Sequence, residues 1–291
     1  MSVPAVPASL TYRELYSLPA PLQDPASAVL GPDRFVLLGG LDAADSSSAG
    51  VILASLHGPI GTATLPGAQH DAQATALGGN AYVFGGADFS QYDHILEYDP
   101  TDGAVTAAGT LPALASDVAV TEVGGTAYIV GGFDGSNWLD TIVAWRPGTT
   151  AKVVAQMPVG LRYAAVTAIN GAVLIVGGTT PSGASDAILR FDPLTGSVKQ
   201  IGRLAQPITH AGAAPLGSSV YLIGGRGDLL GSQVANVWSI DPVTGTVRPA
   251  GHLPQPLSDA GIFTIGDAII VAGGRTAAAT QSAVGELVPT G

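Results

Sequence analysis

At 291 residues, 46% hydrophobic and only 11% charged, the chain can bury a large core. Twenty-two acidic residues against 11 basic ones leave a formal charge of −11, which disfavours nucleic acid and anionic membranes as partners, and no Lys/Arg run offsets it locally. The absence of cysteine excludes disulfides, thiolate metal sites and a cysteine nucleophile, and no run of about 18 apolar residues suggests a membrane span.

Residues 1–9 are rich in Pro and Ala and lack the basic start and apolar core of a signal peptide. They read as a linker, which fits a domain of a larger extracellular or periplasmic protein better than a cytoplasmic one. Residues 10–18 come next as a strand that runs into Leu18-Pro19. Then comes Phe35-Val36-Leu37-Leu38-Gly39-Gly40, the first of six apolar runs that end in a glycine pair. The others end at Gly85-Gly86, Gly131-Gly132, Gly177-Gly178, Gly224-Gly225 and Gly273-Gly274, so the spacings are 46, 46, 46, 47 and 49 residues. A period held over the whole chain makes this a repeat protein. Short β-branched and aromatic runs cut by Gly and Pro make it all-β.

The second repeat shows the unit most clearly, with strands predicted over 72–77, 81–84, 94–98 and 104–110. A turn Asp99-Pro100-Thr101-Asp102-Gly103 precedes the fourth strand, and it recurs at Asp192-Pro193 and Asp241-Pro242. The last repeat offers a third strand over 282–288 and no fourth, whereas the N-terminus has a strand to spare. Pairing these two closes a ring and hides its edges. The expected architecture is therefore a single six-bladed β-propeller over residues 10–291, with four antiparallel strands per blade and residues 10–18 as the outer strand of the last blade.

The apolar strand ending in Gly-Gly, the Tyr98-Asp99-Pro100 step and a period near 50 resemble the kelch repeat, and the resemblance covers essentially the whole chain. Two departures stand out: Val105, Val198 and Val247 occupy a position where kelch repeats commonly carry tryptophan, and the first repeat lacks the Tyr-Asp-Pro step. The resemblance implies a monomeric domain that binds a protein, peptide or glycan on the face where the loops after the glycine pairs meet the links between blades. It also implies an alternative, a sugar-acid epimerase or mutarotase with acid/base residues in a central pocket. A copper oxidase built on the same blades is excluded, because its cofactor needs a cysteine.

Fifteen and fourteen residues before each first glycine stand Asp24 and Pro25, His70 and Asp71, Ser116 and Asp117, Arg162 and Tyr163, Thr209 and His210, and Ser258 and Asp259. Asp24, His70, Asp71, Asp117, Arg162, Tyr163, His210 and Asp259 are the candidate binding residues of a polar ring. Asp at such a recurring position also serves to cap nearby turn amides, so a structural role stands beside the binding one. Arg162 either clamps a ligand carboxylate with its planar fork or neutralises its acidic neighbours. His70 and His210 lie three repeats apart, too far around the ring to share a metal readily, so no metal or other cofactor is expected. The loops after the pairs add aromatics beside Asp and Asn, and Tyr92, Phe133 and Trp138 are the residues chosen there for stacking or as hot spots. No Gly-x-Ser-x-Gly elbow, phosphate loop or His-Glu-x-x-His motif occurs. An enzyme would have to draw on Arg162, Asp71 and His70.

Overall fold

The computed structural model describes residues 9–290, and residues 1–8 of the linker-like segment lie outside that range. Within it every regular element is a strand, and six four-stranded antiparallel sheets form the blades. The innermost strands Ala26–Val29, Gln73–Leu77, Ala119–Val123, Ala165–Ile169, Gly212–Leu216 and Gly261–Ile265 adjoin one another in cyclic order around a channel. Blade 2 continues outward with Asn80–Phe84, His94–Tyr98 and Val105–Thr110, each within a residue of its expected start. Blade 4 carries one addition, a small hairpin of Thr179–Thr180 with Gly183–Ala184 on the loop face.

The ring closes as the unequal strand count required. Leu10–Ser17 pairs antiparallel with Ala283–Pro289, from Leu10 opposite Pro289 to Ser17 opposite Ala283. Arg13 Nε donates to Glu286 Oε1 at 2.7 Å across this pair. The seam thus combines backbone ladder and ion pair.

The second strand of each blade is apolar after its first residue because of how blades stack. Each lies between two neighbours, so both faces are buried. Tyr82 and Phe84 face blade 3, where they meet Trp145, while Ala81 and Val83 face blade 1. The core accordingly divides into six clusters, one between each pair of adjacent blades. The Asp-Pro turns have a local cause. Asp99, Asp192 and Asp241 each accept a hydrogen bond on Oδ1 from the amide two residues on, at 2.8, 2.9 and 2.8 Å.

The glycine pairs hold the link to the next blade. Both members have positive φ, for example 63° at Gly131 and 114° at Gly132. The second amide donates to a carbonyl of that link: Gly132 to Leu161 at 2.8 Å, Gly178 to Ile208 at 2.8 Å, and Gly274 to Leu22 at 2.8 Å. A Cβ on Gly131 would collide with the same Leu161 oxygen.

Candidate functional site

Where the links enter the innermost strands, one residue per blade adopts a left-handed backbone: Asp24, Asp71, Asp117, Tyr163, His210 and Asp259, with φ between 51° and 59°. None is glycine, and such a conformation costs on the order of 1 kcal/mol at each. What holds them there is a closed collar of hydrogen bonds. Asp117 N–H donates to Asp71 O at 2.7 Å, Tyr163 to Asp117 O at 3.1 Å, His210 to Tyr163 O at 3.2 Å, Asp259 to His210 O at 3.1 Å, and Asp24 to Asp259 O at 2.6 Å. The sixth link differs, because Asp71 N–H donates to the Asp24 side chain, at Oδ2, 2.6 Å away.

The collar corrects one register. Counting from Gly39 pairs Asp24 with Pro25, but the residue outside the collar in blade 1 is Gln23, which bridges Leu41 as His70 bridges Ala87 and Arg162 bridges Thr179. The cause is the inner hairpin of blade 1, whose turn spans residues 30–33 where blade 2 uses 78–79. Gln23 is thus a mouth residue that spacing alone misplaced. It donates to Asp45 Oδ1 at 2.6 Å, which also receives Arg275 Nη1 at 2.5 Å.

All six collar residues line one end of the channel, a cavity of about 390 Å³ walled by small side chains such as Ser27, Ala74, Thr121 and Ala213. On one side the mouth groups interlock. Arg162 Nε lies against Asp117 Oδ2, and its guanidinium carbon sits 4.4 Å from the Phe133 ring centre and 5.4 Å from that of Trp138. Tyr163 OH donates to Asp71 Oδ2 at 3.2 Å, and its ring stacks on His210 at 3.8 Å. Beyond it, Arg226 Nη2 is 3.0 Å from His210 Nε2. Guanidinium only donates, so Nε2 accepts and the imidazole proton resides on Nδ1, which donates to Thr209 Oγ1 at 2.9 Å. Thr209 Oγ1 in turn shares a hydrogen bond of 2.7 Å with Thr179 Oγ1.

Burial dominates the electrostatics. It raises the Asp117 carboxyl to about 7, with Asp71 adding to the rise and Arg162 opposing it. Burial likewise lifts Asp24, helped by Asp71, and lifts Asp259 against hydrogen bonding from Ser258. Burial, then Arg226 and Arg162, lower His210 to about 2. The imidazole is therefore neutral, as its acceptor role requires.

Arg162, Tyr163, Phe133, Trp138, Asp117, Asp71 and His210 thus come together. Asp24 and Asp259 continue the collar, and His70 contacts Asp71 Oδ2 at 3.5 Å and Ser47 Oγ at 2.9 Å. Tyr92 does not join them. It stacks on His94 at 4.8 Å and points its hydroxyl toward Ala68 O.

Six antiparallel blades, glycine-pair strand ends and a polar mouth define a six-bladed β-propeller that carries a kelch motif in its fifth blade. The kelch motif itself matches residues 207–254, the span of blade 5. A solved structure described as "Structure of YjhT" is similar to this chain with a TM-score of 0.80 and 17% identity, over 92% of this chain and 95% of that one. At that identity the likeness is one of fold. No curated protein matches the sequence.

Proposed function

We propose that the protein is a recognition module that holds a protein, peptide or glycan on the loop face around the channel mouth. One observation carries this reading: Arg162 is fixed among Phe133, Trp138, Tyr163 and Asp117 on that face, a preorganised mix of aromatic and charged surface. The collar supports it, because the backbone takes most of the structural work and leaves the side chains of Asp71 and Asp117 to hold Tyr163 and Arg162 in place. A glycan array and a thermal-shift screen with peptides and small acids test the proposal. A binder at about 100 times its Kd stabilises by about 2.7 kcal/mol. It raises the Tm of the wild type and loses that effect in Arg162→Ala or Trp138→Ala. No shift with any of the three ligand classes would remove the basis for the reading.

A second reading is favoured by one feature, the Asp117 carboxyl held at about 7 beside Asp71 and Tyr163. A group that titrates near neutrality next to a second carboxyl suits general acid/base work on a sugar acid. Under this reading Asp71 or His70 would move the proton and Arg162 would hold the substrate carboxylate. Exchange between sugar-acid anomers, followed by proton NMR, accelerates with the wild type and not with Asp71→Asn if it is right.

A further inference from the structure

The loops after the glycine pairs are unequal in charge. Those of blades 1 to 3, residues 41–47, 87–93 and 133–140, hold Asp42, Asp45, Asp88, Asp93, Asp134 and Asp140 and no Lys or Arg. Those of blades 4 to 6, residues 179–186, 226–235 and 275–282, hold Asp186 and Asp228 against Arg226 and Arg275 and are balanced. One half of the face is therefore anionic, the other neutral.

Internal pairing does not cancel that charge. Asp45 meets Arg275, but Asp88, Asp93, Asp134 and Asp140 form no ion pair among the described residues. Arg162, which packs on Phe133 of the blade 3 loop, is engaged with Asp117. Asp134 takes amide hydrogen bonds from Ser136 and Asn137 at 2.8 and 2.7 Å, and the Asn137 side chain together with these holds its carboxyl below the usual range. The blade 2 and blade 3 loops also adjoin, since a Cβ on Gly135 would meet Gln91 Oε1 at 2.8 Å. Above this surface stands Phe89, fully exposed. A bare phenyl ring amid uncompensated carboxylates is costly for a surface with no partner and apt for one with an amphipathic partner.

We infer that the blade 2–3 side of the loop face docks a cationic polypeptide segment, one carrying Lys or Arg for the aspartates and an apolar side chain to pack on Phe89. The inference rests on the recognition reading above and names its partner class. Charge complementarity selects this occupant over an acidic or neutral segment.

The probe is a random dodecapeptide phage library panned on the full chain, with enriched peptides measured by fluorescence anisotropy. Enriched sequences are expected to be net positive with an aromatic or aliphatic residue. Their binding should weaken about tenfold or more between 0.05 and 0.5 M NaCl, and at least fivefold both in Asp88→Asn/Asp93→Asn and in Phe89→Ala. Both variants alter surface loops and should melt as the wild type does. Asp228→Asn, in the blade 5 loop on the neutral half, should leave peptide affinity unchanged. Neutral or acidic peptides, no enrichment, or affinity indifferent to the aspartates would overturn the inference. So would a Tm rise with 2 mM CaCl2 in place of peptide binding, which would reassign the carboxylates to a cation. If only Arg162-dependent glycan or acid binding appears, this inference fails while the recognition reading survives; if neither appears, both fail.

Discussion

Gly131 and Gly78 share a positive φ, 63° at each, yet a methyl group would fare differently at the two. At Gly131 it meets the Leu161 carbonyl, whereas at Gly78, in a hairpin turn, nothing lies within 4 Å. Gly131→Ala should therefore destabilise by about 3 kcal/mol or more, and Gly78→Ala by only about 1 kcal/mol, in urea unfolding. Equal losses would mean that the contact with the link between blades contributes nothing. Asp117 gives a second test at this scale. Its carboxyl ionises near 4 in the unfolded chain and at about 7 when buried. From pH 4 to 7 the unfolded state loses the proton first, so the contribution of Asp117 to stability is fully present below pH 4 and is lost as pH rises through 7. Asp24 and Asp259, also raised, act in the same direction. Asp117→Asn should flatten the decline of Tm between pH 4 and pH 8. A slope identical to the wild type would refute the assignment.

The closing strand is the element on which the ring depends. Leu10 is buried with the blade 5–6 cluster, and Tyr12 packs over Gly285, so Leu10–Ser17 supplies core as well as ladder. Removing residues 1–18 exposes the edge of Ala283–Pro289 and should abolish a cooperative thermal transition. Arg13→Ala, which leaves the buried Glu286 without its partner, should lower Tm while keeping the transition cooperative. Strands and blade count were legible in the sequence because each blade must bury both faces of a short run, and that demand recurs six times. The collar was not legible. Five of its six bonds run between main-chain atoms, so side-chain identity carries no trace of them. The Gln23 register escaped for a related reason, since one net extra residue in the inner hairpin shifts a count without altering the blade. Tyr92 differs again, because nothing in its spacing distinguishes a ring turned toward the mouth from one stacked on His94.

For the whole molecule, closure brings the two ends of the described chain side by side, with Thr290 N–H donating to Ser9 O at 2.8 Å. Joining them with a short linker and opening the chain in the exposed turn around Asp102 should give a permutant with the wild-type circular dichroism and a Tm within a few degrees. A molten product would show that the order of blades along the chain matters to the final state. The collar has one more consequence, best put mechanically. Five of its links are main chain to main chain, so their lengths are tied to the backbone of neighbouring blades. The sixth, from Asp71 to the Asp24 carboxylate, runs through a side chain with rotatable bonds. A hoop with five riveted joints and one hinge has a fixed bore under ordinary load and a single place to yield. If a ligand too wide for the channel is to enter, the gap opens between blades 1 and 2.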